Sequence, residues 1–301
     1  MFKCCISNKV VNTTAEIKKK KSKEFTKSVK KNIKKMRKSN FNEKDYNNVL
    51  LGYGASSETF KIRINSIDVT CKKIKKSERN YIHNEVKLLK LMSYECHFPV
   101  FYNKLVTNSN VYLLYRYIDG VDLYQMIKEP LFSLDNNTIS KIILEIATGL
   151  NYLFYHNYVH LDIKIENIII KKTKPVRIKI IDLAFCQKIN KFNNKLENCV
   201  GTSGYCAPEI ILHKRYYHNS DIWSLGILLS ILFQKFDIFG NDWKKYYKNM
   251  KNYNNFDDIK SHLLIKDKDV LDLLDNMLVK NPNNRYSIKD VLNHKYILQE
   301  K

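Results

Sequence analysis

The hydrophobic period changes once, at Asp119–Gly120, and that change constrains the fold more than any other feature of the chain. Before it, NNVLLGYGASSETFKIRI, VTCKKI and VYLLYRYI alternate as short strands do, with NEVKLLKLM as a single helical repeat among them. After it, helical repeats cover roughly 137–156, 220–233, 269–279 and 287–293, separated by irregular polar connections. Strands grouped ahead of helices predict an α+β, bilobal chain: a small β-rich lobe at 45–118 and a larger helical lobe at 119–300. A cleft at their join is where ligand sites tend to lie. At 301 residues and 44% hydrophobic, the chain has enough apolar material for both cores.

Residues 1–44 read differently, as a basic low-complexity tail, disordered in isolation. Its first 40 residues hold 14 Lys or Arg against Glu16 and Glu24, which is +12 of the formal +22. Three roles stay open for it. Cys4–Cys5 beside basic residues, with Val29, Ile33 and Met36 on one helical face, suit lipidation and an acidic membrane surface. KKKK at 18–21 or KKMRK at 34–38 suits an import receptor. A solvated, inert tail is the third. No basic-aromatic module accompanies the charge, which argues against a specific nucleic-acid partner. Seven cysteines without a CxxC pair argue against a disulfide framework or a structural zinc site. The longest strongly apolar run, LGILLSILF at 225–233, is too short to span a bilayer, and no secretory signal is visible. The expected location is cytoplasmic, with membrane-associated and nuclear alternatives resting on the tail.

The densest polar chemistry lies in YVHLDIKIENIII, residues 158–170. Asp162, Lys164 and Asn167 offer a carboxylate to accept a proton, an ammonium for phosphoryl oxygens and an amide oxygen for a hard cation. Fifteen residues on, the apolar run RIKIID delivers Asp182 at a strand end as a second hard ligand. Upstream, Lys72 sits on a strand and Glu85 on the following helix, where they can pair. Gly52-Tyr53-Gly54 lets backbone amides approach phosphates. Each piece alone is weak, because a Gly-x-Gly is usually a plain hairpin and a strand lysine usually faces solvent.

In order, these pieces resemble a eukaryotic protein kinase over residues 47–299. GYGASS is similar to the glycine-rich loop, VTCK to the strand lysine motif and HLDIKIEN to the catalytic loop. DLA stands in place of Asp-Phe-Gly, GTSGYCAPE resembles the segment ending in Ala-Pro-Glu, and SDIWSLGILL resembles the buried helix beyond it. The resemblance implies Mg²⁺-ATP as cofactor, with Mn²⁺ an alternative, and protein substrates. Asp162 would be the catalytic base, Lys164 would steady the transferred group, and Asn167 and Asp182 would hold metal. Lys72 would contact phosphates while pairing with Glu85. Gly52, Gly54, Tyr117, Ile118, Asp122 and Ile169 would hold the nucleotide, with Tyr115 as gatekeeper. Leu89, Phe101, His160 and Leu183 would be core, and Glu209 with Arg285 a buried ion pair. Lys164 with Thr202 resembles serine/threonine kinases, and HLDIKxEN the calcium/calmodulin-dependent and myosin light-chain-like groups.

The pattern also breaks. Leu161 stands where many kinases have the arginine that receives an activation-segment phosphate, and Asn198 stands at the usual phosphorylated position. Both halves of that switch are missing, so gating by it is not expected. Ala184 replaces the last glycine of Asp-Phe-Gly, Ser57 the third glycine of the phosphate loop, and Thr59 and Thr70 make the nucleotide roof more polar. These changes sustain a rival reading, a nucleotide-binding pseudokinase acting as scaffold. Every charged catalytic position is filled, which favours the enzyme. Cys71 should pack on the opposite strand face from Lys72, and Cys186, Cys199 and Cys206 read as small apolar groups.

Overall fold

A computed structural model describes residues 41–298 except 42, 55–56, 65, 76, 78, 94, 130–133 and 191–193. The Cys4–Cys5 pair, the Val29–Ile33–Met36 face and both lysine-rich signals lie outside the described residues. The chain divides into two compact units. One holds the residues up to Asn80 and Val100–Tyr117, the other Tyr81–Pro99 and Ile118 onward.

In the first unit, β1 (Val49–Tyr53), β2 (Ser57–Ile64), β3 (Ile67–Lys75), β4 (Phe101–Val106) and β5 (Asn110–Arg116) form an antiparallel sheet in the order β1-β2-β3-β5-β4. Alternation sends Ile62, Ile64, Val69, Cys71, Tyr112 and Leu114 into one core, where Cys71 is fully buried as expected. Burial drives its thiol far above the ordinary range. Phe41 and Glu43 also belong to this unit, so the folded part begins ahead of the expected boundary at 45. The Phe41 ring meets Tyr112 edge-on, and Glu43 accepts hydrogen bonds from Lys73 Nζ (2.7 Å) and Tyr112 Oη (2.9 Å). Apolar and charged anchors two residues apart are what the lysine-rich composition conceals.

From Tyr81 on, helix α1 (Arg79–Met92) belongs to the second unit, whereas the sequence assigned it to the β-rich lobe. The turn after α1 explains the difference. Ile180 N donates to His97 O (2.8 Å) and Lys179 Nζ to Phe98 O (2.7 Å), tying the turn to strand β9 (Ile178–Ile180). β9 pairs with β8 (Ile168–Lys171), and β8 with β6 (Gly120–Asp122). A second ribbon joins β7 (Tyr158–Val159) to β10 (Gln187–Lys188).

Helices α2 (Leu123–Lys128), α3 (Asn136–Tyr155), α4 (Pro208–His213), α5 (Ser220–Gln234), α6 (Trp243–Asn252), α7 (Asp257–Lys260), α8 (Lys268–Met277), α9 (Ile288–Leu292) and α10 (Lys295–Leu298) complete the unit. Helix α3 buries Ile139, Ile142, Ile143, Ile146, Leu150 and Leu153, an apolar stripe at helical spacing, each worth about 1.5–3 kcal/mol. Asp135 caps it by accepting from Thr138 N (2.7 Å). Helix α5 is apolar all round because it is buried all round. Gly226 lets α8 come close: a Cβ there would sit 3.1 Å from Met277 Cβ. Among the described residues no helix is long and apolar enough to cross a membrane.

Candidate active site

The loop between β7 and β8 carries Asp162, Lys164 and Asn167, and its shape is imposed from below. Asp221, in the first turn of α5, accepts from His160 N (2.6 Å) and Leu161 N (2.8 Å). Asp221 is 2% exposed, and burial pushes its carboxyl up despite those two donors. Leu161 takes a left-handed conformation (φ 65°), which turns the chain so that Asp162 follows. The 3₁₀ turn Ile165–Asn167 then brings Asn167 back, and its Nδ2 donates to Asp162 O (2.8 Å) and Oδ2 (2.9 Å).

Thr202 joins from the opposite side. Its hydroxyl donates to Asp162 Oδ1 (2.6 Å) and accepts from Lys164 Nζ (2.7 Å), while that ammonium stands 3.4 Å from Asp162 Oδ2. Gly201 permits this approach. Its φ of +96° suits glycine, and a Cβ there would lie 2.5 Å from Leu161 O. Asp162, Lys164, Asn167 and Thr202, all singled out from the sequence, form one hydrogen-bonded network. Asp162 is 4% exposed, yet its two oxygens keep acceptor capacity beyond these partners.

Asp182 lies two residues past β9, not at its end as the apolar run suggested, with φ 61°. Ala184 N donates to Asp182 Oδ1 (3.3 Å). The left-handed residue of this turn is therefore Asp182, and Ala184 carries no positive φ. Alanine in place of glycine is unstrained here.

Asp122 stands opposite Ile169 in the β6–β8 register, so these two nucleotide candidates are adjacent. The Asp122 carboxylate also caps α2 by accepting from Gln125 N (2.7 Å), and burial raises its pKa despite that bond. Glu85 is buried on α1, and Ile118 opens the second unit's main segment. In the first unit Lys72 is half-buried on β3, opposite Thr59 and Leu113. Gly52 sits at a bulge in β1, Gly54 N donates to Ser57 O (2.7 Å), and Lys61 Nζ covers the Tyr117 ring at 4.3 Å. Tyr115 is buried edge-on to Phe101. Leu89, Phe101, His160 and Leu183 are all buried.

The remaining expectations divide. Arg285 meets Glu209 bidentately (2.9 and 2.8 Å) beneath the segment, as implied. Cys186 and Cys206 are buried, but Cys199 is exposed, so apolar bulk does not account for it. The neighbouring Cys206 thiol holds the Cys199 thiol below its usual value. Sequence reasoning missed Asp221 as the loop's anchor. Its signal was present: the lone charged residue in a long, mostly apolar helix.

A family model described as "Protein kinase domain" matches residues 46–297. Calcium-dependent protein kinase 4 of Plasmodium falciparum is 29% identical over 270 residues, which cover 85% of this chain and 50% of that protein. Its counterpart from Plasmodium berghei is 29% identical over 228 residues, 74% of this chain and 42% of that protein. The serine/threonine-protein kinase CLA4 of Candida albicans is 28% identical over 181 residues, 60% of this chain and 18% of that protein. The chain thus spans half or less of the length of these curated relatives. The family match runs through nearly all the described residues of both units and includes every member of the Asp162 network: the chain belongs to the protein kinase family.

Proposed function

We propose that this chain transfers the γ-phosphoryl group of ATP to serine or threonine hydroxyls of protein substrates. The observation that carries the reading is the Asp162–Thr202–Lys164 network. Asp162 is held against rotation by Thr202 and Asn167, so a free acceptor position can take the proton of an incoming hydroxyl. Lys164 places positive charge beside that carboxylate, where phosphoryl oxygens would gather as the hydroxyl oxygen bonds to phosphorus. In the first unit, Lys72 and the amides near Gly52 and Gly54 supply the groups suited to ATP phosphates.

The donor set of Asn167 and Asp182 fits a hard cation. With Nδ2 spent on Asp162, the Asn167 amide presents its oxygen elsewhere, and Asp182 adds a carboxylate. Mg²⁺, or Mn²⁺ in its place, would supply charge neutralisation on the phosphates there. We also read the enzyme as independent of activation-segment phosphorylation. Leu161 is 3% exposed and offers no cation, and the loop takes its shape from Asp221.

Phosphate transfer from Mg²⁺-ATP to a serine/threonine substrate panel, wild type against Asp162→Asn, tests the reading. Transfer by the wild type that vanishes in the variant is the expected result. Two folded, nucleotide-binding but silent proteins would instead establish the scaffold reading. For the tail, an acidic membrane surface, an import receptor and an inert role stay open. A reporter fused to residues 1–40 separates them by membrane, nuclear or diffuse signal.

A further inference from the structure

Away from the Asp162 network, Glu95, Cys96 and His97 converge in the turn between α1 and Val100. Their donor atoms lie within 4.8 Å of one another. Glu95 Oε1 and His97 Nδ1 are 2.7 Å apart, Cys96 Sγ and Glu95 Oε1 3.3 Å, and Cys96 Sγ and His97 Nδ1 3.5 Å. A tetrahedral cation with bonds of about 2.0–2.3 Å separates its ligands by about 3.3–3.6 Å. Two edges of this triangle already have that length. The third, now a hydrogen bond, must open by roughly 0.6 Å.

We propose that Glu95, Cys96 and His97 form a binding site for a divalent cation of the zinc class, with Glu145 orienting His97 from behind. Sulfur, imidazole nitrogen and one carboxylate oxygen select a borderline-soft ion over Mg²⁺ or Ca²⁺. His97 is 6% exposed while Cys96 is exposed, so the fixed ligand lies inside and the entry side faces solvent, where water completes the set.

An independent observation is the state of Glu145 on α3. Arg177 Nη1 donates to its Oε1 (2.7 Å), but its Oε2 is buried with no hydrogen-bond donor among the described residues. That oxygen stands 3.6 Å from His97 Nε2. A cation on Nδ1 leaves the ring proton on Nε2, which then has the Glu145 carboxylate to meet. This is the carboxylate–histidine–metal relation that commonly fixes a ligating imidazole. The turn is also preorganised. His97 O and Phe98 O are held from β9, and Gly149 of α3 lies so close that a Cβ there would be 3.0 Å from His97 Cβ.

The Cys96 thiol carries its proton before a cation enters, as an ordinary thiol does at neutral pH. Binding exchanges the S–H bond for an S–metal bond and releases that proton to solvent. No oxidation takes place.

The test is Co²⁺ titration of the full chain, stripped with chelator and kept in excess Mg²⁺ to fill hard-oxygen positions. The expected result is one Co²⁺ per chain with intense sulfur-to-cobalt charge-transfer absorption and about one proton released. Cys96→Ser, at an exposed position, should melt like the stripped wild type, lose the band and bind on the order of 100-fold more weakly. Glu145→Ala should keep the band and bind about 10–100-fold more weakly. A wild type with no such band overturns the site, leaving the trio as a hydrogen-bonded turn with His97 shared between two carboxylates. A band that persists in Cys96→Ser overturns it equally, because the sulfur is then elsewhere.

Discussion

Asp162 and Glu209 are buried to the same extent, each 4% exposed, in the same unit, and only one of them is equipped to react. Glu209 receives two parallel bonds from Arg285 and a third from Ser220 Oγ (2.7 Å). Arg285 spends its other donors on Val279 O, Asn219 O and Lys280 O. Its side chain is 0% exposed, so charge and hydrogen bonds are neutralised inside a closed network. Asp162 has one hydroxyl, one amide and an ammonium at 3.4 Å whose side chain is 21% exposed. It receives fewer donors than Glu209 and no bidentate partner. Burial alone therefore does not mark a catalytic carboxylate. The proposed base is set apart by unspent acceptor capacity beside an ammonium held by Thr202.

The contrast can be broken from either end. Asp162→Asn should lower turnover by up to about 10⁴-fold, the upper range for a general base, with an unchanged melting transition. Arg285→Leu should do the reverse. Leaving Glu209 as an uncompensated buried charge costs about 3–5 kcal/mol in denaturant unfolding, while turnover per folded molecule is retained. If Asp162→Asn unfolds the protein, or Arg285→Leu is silent in stability, the two carboxylates do not have separate duties.

Asp221 lies between these extremes, since its bonds are structural but the loop they hold carries the proposed base. Asp221→Ala strands the His160 and Leu161 amides, at about 1–3 kcal/mol each, and should lower stability and turnover together. Thr202→Ala touches only the bridge. Losing a hydroxyl bonded to two charged groups should cost about 1.5–3 kcal/mol of transition-state stabilisation, roughly a 10–100-fold slower turnover. Thr202→Ser keeps the hydroxyl and should restore most of the rate. Failure of serine to do so would move the threonine's contribution from its hydroxyl to its methyl group.

Much of this site was legible because motif order survives where geometry is hidden. Asp162, Lys164, Asn167 and Thr202 were all named from spacing and resemblance, and the helical repeat at 220–233 became α5 at Ser220–Gln234. What the sequence could not reveal were partners set by tertiary approach. The resemblance implied that Thr202 would hydrogen-bond Asp162 and Lys164, and both bonds are present, but not that the approach depends on Gly201 packing against Leu161 O. The assignment of α1 to the second unit depends on hydrogen bonds between its following turn and β9, beyond the reach of any local period. The absence of CxxC spacing argued against a structural zinc site, but that pattern does not speak to one cysteine flanked by a carboxylate and an imidazole.

Glu43 is the smallest case and the one the lysine-rich composition hid most completely. Burial alone would raise its carboxyl, yet the bonds from Lys73 and Tyr112 outweigh burial and hold it below its ordinary value. A depressed carboxylate contributes stability that is fully present above its unfolded-state value, about 4.3, and that is lost as the pH falls through the lower folded value. Glu43→Gln should therefore be less stable than wild type by about 1–2 kcal/mol at neutral pH. The gap should close in acid as the wild-type carboxylate takes up its proton. Urea midpoints of both proteins at neutral and acidic pH measure this directly. A constant gap would mean that Glu43 acts through shape alone, as Phe41 does two residues earlier, and that the first unit's leading segment is fastened by packing without charge.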